Sequence, residues 1–173
     1  MGISISELLR FPLATYCNFN ALMNDKPNAL TNMENQRIFY DGPKAKIYYD
    51  STLDTLFLEY VASLKSHDEF LEINSTLLEA FKSLNTQKMV ADIRKMGIIS
   101  IDSQNYVVNV LIPGMMEHLK GKTLYHAQFM DPAEVFAKVS AKNIQNKSAV
   151  TIKGFVVEQF TDRAALEEYL LSK

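Results

Sequence analysis

Residues 88–103, KMVADIRKMGIISIDS, decide the fold of this chain. They begin with a short apolar run at 89–93, which is typical of a buried strand. Arg94 and Lys95 follow, a glycine interrupts the run, and polar residues at 100–103 can cap a new helix. A strand that passes through a polar turn into a helix start is where α/β proteins often place their chemistry. We therefore predict that the candidate site lies in this stretch.

Strand-like and helix-like segments alternate on both sides of it. β-prone runs occur at 38–40, 46–49, 56–61, 123–129 and 155–160. From the second run onward, the predicted order is β-β-α-β-α-β-α-β-α. Strands separated by single helices favour parallel pairing with right-handed crossovers. We expect an α/β domain over 37–173, with helices packed on an open, mostly parallel sheet that has one antiparallel strand at a hairpin.

Local signals place the helix ends. Ser66 and Glu69 form a capping box, which predicts a helix over about 67–84. Asp131 is followed by a proline and, three residues on, by a glutamate, which predicts a second helix start. Asp162 is expected to cap a last helix. Pro113 lies inside the helical pattern after residue 102, so we expect a kink or a break there.

Residues 1–36 differ from the rest of the chain. Six asparagines lie among scattered apolar residues, and asparagine favours turns over regular structure. We expect a short helix near the start and an irregular arm that packs on the domain or on a second subunit. A homodimer is therefore one expectation from this arm.

Composition excludes several classes of protein. The 173 residues are 47% hydrophobic and 22% charged, with a net charge of −2, so no broad electrostatic footprint for nucleic acid is present. Cys17 is the only cysteine, which excludes an internal disulfide or a multi-cysteine zinc site and fits a cytoplasmic location. No apolar run reaches the roughly 18 residues that a membrane helix needs.

Motifs for metal, nucleotide or covalent chemistry are missing as well. The chain has no glycine-rich phosphate loop and no HExxH or GxSxG pattern. His67, His118 and His126 have no metal-ligand spacing; the first two are expected at the surface, and His126 as a satisfied or exposed strand residue. No nucleophile has a base at a recognisable spacing, so we expect neither an enzyme nor a cofactor.

The sequence over about 46–171 resembles the STAS domain, the SpoIIAA-like fold of anti-sigma-factor antagonists. The resemblance is carried by ADIRKMGIISIDSQNYV at 91–107, with KIYYD before it and DPAEVFAKVS and EQFTDRAALEEYL after it. Within that fold, it resembles a group of small bacterial STAS-like proteins of unassigned function. The arm at 1–36 lies outside the match.

The resemblance implies a role for Ser103. In classical members, an Asp-Ser pair opens a helix, and a partner kinase phosphorylates the serine to switch binding to a regulatory protein. Asp102 and Ser103 stand at that place, whereas Gln104 and the two residues after it replace the usual Ser-Gly-Leu. The alternative is that Ser100, Asp102 and Ser103 only cap the helix.

Two further readings concern ligands. Arg94 and Lys95 could hold a phosphate or a carboxylate, or they could pair with Asp92 and Asp102 or lie in solvent. The expected ligand- or partner-binding residues are Asp92, Arg94, Lys95, Ser100, Asp102, Tyr106 and Asp131.

We thus expect a non-enzymatic regulatory module that binds a protein partner around 94–106. The alternative is a small-ligand carrier or sensor for a lipid or an anion, since the STAS fold also resembles Sec14-type lipid-binding domains in broad architecture.

Overall fold

A computed structural model describes residues 35–131 and 154–173 of the chain. The strands are β1 Gln36–Asp41, β2 Ala45–Asp50, β3 Thr55–Tyr60, β4 Lys88–Asp92, β5 Leu124–Phe129 and β6 Phe155–Phe160. The helices are α1 His67–Lys82, α2 Ile101–Tyr106, α3 Ile112–Leu119 and α4 Arg163–Leu171, and a π-helical segment, Val107–Leu111, joins α2 to α3. The predicted arm, apart from its last two residues, and the predicted helix after Asp131 lie outside the described residues.

The six strands form one sheet in the order β1-β2-β3-β4-β5-β6. β2 pairs antiparallel with both β1 and β3, and the β3–β4, β4–β5 and β5–β6 pairs are parallel. Among these six strands, β2 alone therefore runs against the others. The expected α/β class and the mostly parallel sheet with one antiparallel strand are confirmed.

Alternation along the strands divides the core into two halves. We call the side covered by α1, α2 and α3 the α1 face and the side covered by α4 the α4 face. The larger cluster, on the α1 face, includes Leu58, Met89 and Ala91. On the α4 face, Val90 and Ala127 pack with Leu166 and Leu170. Neighbouring strand residues point to opposite faces, so the apolar run of β4 supplies both halves.

The predicted helix starts at Ser66 and Asp162 are confirmed. Ser66 caps α1 by accepting a hydrogen bond from the backbone N–H of Glu69 at 3.1 Å. The Glu69 carboxylate reaches back one residue further than a standard capping box, accepting from the N–H of Lys65 at 2.7 Å. Asp162 caps α4 through the N–H of Ala165 at 2.9 Å. These side chains satisfy helix-end donors that would otherwise lack partners.

Pro113 produces a π-helical segment in place of a break. Proline has no N–H, so the carbonyl of Asn109 receives no donor four residues on. The backbone widens just before it, and the N–H of Ile112 donates to the carbonyl of Val107, five residues back. The helical path continues through Pro113 to Leu119.

Candidate functional site

The loops that follow β3 and β4 lie side by side at the carboxyl edge of the sheet. The Ser63 hydroxyl donates to the carbonyl oxygen of Lys95 at 3.2 Å, and the N–H of Leu64 donates to the carbonyl of Met96 at 3.2 Å. This edge is where ligands bind in many open α/β sheets. The predicted site residues reach it in two separate clusters, one on each face.

Asp92 and Arg94 form the cluster on the α4 face. Arg94 Nε lies 2.9 Å from Asp92 Oδ1, and Nη2 lies 2.6 Å from Oδ2. Asp92 is 8% exposed, and the guanidinium lies over the Phe129 ring at 4.4 Å from its centroid. The hydrogen bonds to Asp92 are the largest cause of a raised pKa of Arg94. The expectation that Arg94 pairs with Asp92 is confirmed, and these two donor nitrogens are engaged with the carboxylate.

Two further predicted residues lie near this pair. Asp131 is half-buried, and its charge contributes to the raised pKa of Arg94, after the larger effects of Asp92 and Glu59. Lys95 is exposed, and its carbonyl is the acceptor that ties the two loops together. The negative charges around Arg94 make this cluster a poor match for an anionic ligand.

Ser100, Ser103 and His67 form the cluster on the α1 face. Ser103 Oγ lies 2.9 Å from His67 Nδ1 and 3.0 Å from Ser100 Oγ. Ser100 also caps α2 by accepting from the N–H of Ser103 at 3.1 Å. Ser103 is only 1% exposed, whereas Ser100 is exposed and His67 is half-buried. A cleft of about 270 Å³ lies between the start of α1 and residues 98–103.

His67 is the partner that sequence reasoning missed. It begins α1, 36 residues before Ser103 in the chain, and it was expected at the surface. No local spacing relates the two residues, because their contact depends on how α1 packs against α2. A hydroxyl that is hydrogen-bonded to an imidazole can pass its proton to that ring, and this contact can make the Ser103 oxygen more nucleophilic.

Asp102 and Tyr106 belong to neither cluster. Asp102 is exposed in the first turn of α2, where a carboxylate complements the helix dipole. Tyr106 packs edge-on against Phe70, with ring centroids 6.4 Å apart. The Tyr106 ring therefore serves helix packing between α1 and α2.

Two exposed isoleucines flank the Ser100 cap. Ile98 is 63% exposed and Ile101 is 71% exposed. They lie three residues apart on either side of Ser100. This exposure could not be predicted from the sequence, because IISI at 98–101 is an ordinary apolar run.

His126 contradicts its expected role. It lies on the α1 face of β5 at 5% exposure, and its Nε2 atom has no hydrogen-bond partner within residues 35–131 and 154–173. Burial lowers the pKa of His126 to about 4, which makes the ring neutral near pH 7. It is therefore neither exposed nor fully satisfied.

Within residues 35–131 and 154–173, no three or more His, Cys, Asp or Glu side chains are placed to hold a metal ion. The helices of the same part of the chain are all too short or too polar to cross a bilayer.

Comparisons with protein-family models, curated proteins and solved structures find no match to this chain.

Proposed function

We propose that this chain is a non-enzymatic, STAS-like regulatory module of the bacterial cytoplasm that binds a protein partner at the start of α2. The α/β order and the sequence at 91–107 support the STAS-like assignment. The exposed isoleucines beside Ser100 carry the proposal of a partner surface.

Ile98 and Ile101 have the character of interface anchors. Single exposed apolar residues are common on protein surfaces, but neighbouring ones on a rigid segment favour association. Here the segment is held by the Ser100 cap and by the Ser103–His67 hydrogen bond. Burying both side chains against a partner would remove apolar surface from water without first ordering a loop.

Ser103 would act as the switch through its buried hydrogen bonds. A phosphate there breaks the contacts with His67 and Ser100 and adds about two negative charges at a position 1% exposed. The start of α2 then has to move, and Ile101 moves with it. A kinase reaches Ser103 only after the same movement, because the residue is almost fully buried.

The partner surface is tested by quantitative crosslinking pull-downs from the source cells with three proteins: wild type, Ile98→Ser/Ile101→Ser and Ile38→Ser. Ile38 is the matched control, since it is 53% exposed and lies on β1 at the edge of the sheet. We expect the double variant to recover at least about tenfold less of the partner that wild type and Ile38→Ser both capture. Equal recovery by all three removes the partner surface.

Two variants of Ser103 test the proposed switch in the same pull-down. Ser103→Asp should change the captured partners, and Ser103→Ala should leave them as in wild type. Identical partner sets for both serine variants would remove the switch and leave the partner surface standing.

A further inference from the structure

One row of side chains crosses the α4 face from one edge of the sheet to the other. The strand register places one residue of each strand in this row: Ile38, Tyr48, Phe57, Val90, Ala127 and Glu158. Leu166 and Leu170 of α4 pack on the middle of the row, where the members from β3, β4 and β5 are at most 3% exposed. The row therefore has two outer ends that α4 does not bury.

The two ends of the row differ in chemistry. At the β6 end lies Glu158, whose exposed carboxylate is well hydrated. At the β1 end lies Ile38, which is 53% exposed. Its cross-strand neighbour Tyr48 is half-buried and stacks on Phe57, with ring centroids 5.1 Å apart. The apolar surface of the α4 face thus continues outward to the edge of the sheet, and we call its outer end, Ile38 with Tyr48, the β1 strip.

α4 is too narrow to cover the β1 strip. Six strands spaced by about 4.8 Å extend about 24 Å from β1 to β6, whereas a helix with its side chains is about 10 Å across. α4 is the one helix that the described residues place on this face, and it packs on β3, β4 and β5. β1 therefore lies beyond its reach.

The strand order limits which part of the chain can cover the β1 strip. Connections between neighbouring parallel strands are right-handed, so successive connections lie on one face when the strands follow one direction across the sheet. α1 and the helical path from α2 to α3 both lie on the α1 face, as this rule requires. The α4 face is left to the two ends of the chain. α4 follows the last strand, and residues 1–34, which we call the N-terminal segment, precede the first.

The N-terminal segment joins the domain beside the β1 strip. The carbonyl of Asn35 accepts hydrogen bonds from the N–H and the hydroxyl of Ser51 at 2.9 and 3.1 Å, which fixes the point of entry into β1. A cleft of about 200 Å³ lies there, between the start of β1 and the side chains of Arg163 and Glu167 on α4. The exposed isoleucine is three residues further along β1, a distance of about 10 Å.

We infer that the N-terminal segment packs its apolar side chains on the β1 strip of its own molecule. Large apolar residues recur along the whole segment, and the two nearest to β1 are Leu30 and Met33. Its charged residues are few: Glu7, Arg10, Asp25, Lys26 and Glu34. Because the segment is tethered beside the strip, its effective concentration there is high, and a modest apolar contact holds it in place. This inference does not depend on the proposed partner surface, which lies on the α1 face.

A spin label in the N-terminal segment tests the inference on the full chain. Cys17 is the only cysteine, so a nitroxide reagent labels the wild-type protein at one position. The ¹⁵N amide NMR spectrum is compared before and after the nitroxide is reduced. We expect the signals of Tyr48 and Glu167 to lose intensity through the nitroxide, and those of Ile98 and Ile101 on the α1 face to keep theirs.

Two substitutions locate the contact. Ile38→Ser should abolish the loss of intensity at Glu167, because the apolar anchor of the strip is gone. Val110→Ser is the matched control, since Val110 is 45% exposed on the π-helical segment, and it should behave as wild type does. A second label position, Asn24→Cys with Cys17→Ser, repeats the experiment in case the label at residue 17 itself disturbs the packing.

A mixed sample distinguishes the molecule's own segment from that of a second copy. ¹⁵N-labelled Cys17→Ser protein is combined with spin-labelled protein that carries no ¹⁵N, and we expect no loss of intensity at Tyr48 or Glu167. The inference is overturned if this mixed sample shows the loss, or if both label positions broaden the α1 face as strongly as the α4 face. It is equally overturned if neither label affects the α4 face, or if Ile38→Ser leaves the effect unchanged.

Discussion

The two faces of the sheet bury different kinds of polar side chain. On the α4 face, the buried charged groups have close partners: Asp92 has Arg94, and the Lys88 ammonium donates to the carbonyl of Leu170 at 2.9 Å. On the α1 face the buried polar side chains are uncharged, among them Asn74, Ser103 and His126. Each face also holds one buried atom that has no hydrogen-bond partner within the described residues, the Tyr169 hydroxyl on the α4 face and His126 Nε2 on the α1 face. An unpaired buried charge costs far more than an unpaired neutral atom. The charges of the α4 face are therefore fixed in pairs, and the one polar group that burial leaves unpaired on the α1 face is a neutral nitrogen.

The largest expected effect is a loss of stability in acid, caused by the buried imidazole of His126 on the α1 face. The folded pKa of His126 is about 4, below the unfolded value of 6.5, so the unfolded state binds more protons between these values. The free energy of unfolding is therefore not reduced by His126 above about pH 6.5, and it decreases as the pH falls from 6.5 towards 4. The loss should reach about 3 kcal/mol, measured as the free energy of unfolding in urea at a series of pH values.

His126→Phe isolates this contribution from the titration of carboxylates. Between pH 6.5 and 4, its unfolding free energy should fall by about 3 kcal/mol less than that of wild type. His118→Gln is the control, because its imidazole is half-buried and bonded to the carbonyl of Leu84. Parallel pH profiles for wild type and His126→Phe would show that burial of His126 does not govern acid stability.

Removing a charge partner from the α4 face should have the next largest effect. Arg94→Ala leaves the Asp92 carboxylate, only 11% exposed, without its bidentate donor and should cost about 2 kcal/mol of unfolding free energy. Lys82→Ala is the matched control. Its side chain is 41% exposed against 43% for Arg94, but its partner Glu79 is 74% exposed, so the loss should stay below about 0.5 kcal/mol. Equal urea midpoints for the two variants would contradict the fixed character of the α4 face.

The smallest effect is expected at the serine cluster of the α1 face. Ser103→Ala removes two neutral hydrogen bonds, to His67 and Ser100, and should cost about 1 kcal/mol in the same urea measurement. Ser75→Ala is the control, since its exposed hydroxyl donates only to the carbonyl of Glu72 within α1. If Ser103→Ala is no less stable than Ser75→Ala, the cluster does not help to hold α1 and α2 together.

The features that local spacing determines could be predicted from the sequence. Ser66 and Asp162 cap their helices through bonds to residues three positions away, and Asp92 finds Arg94 two residues along the chain. Each of these interactions is set by backbone geometry within one turn. The β-prone runs predicted the strands, and the order in which strands and helices alternate predicted the parallel pairing.

The features that depend on packing between distant segments could not be predicted. The hydrogen bond between His67 and Ser103 depends on the relative position of two helices, and the burial of His126 depends on how the helices of the α1 face cover β5. Pro113 shows an intermediate case. Its missing donor predicts an irregularity, but whether the helix breaks or widens depends on the core that Val107 and Leu111 contact.

The sequential strand order has a consequence for synthesis on the ribosome. Each strand lies beside its neighbour in the chain, so β1 to β6 can pair one after another as they emerge. The α4 face is completed differently. Phe57, Val90 and Ala127 come from three strands, but Leu166 and Leu170, which pack with them, follow all six. A nascent chain halted before α4 would lack the two leucines that pack on these strand residues, which favours association with other chains at that stage.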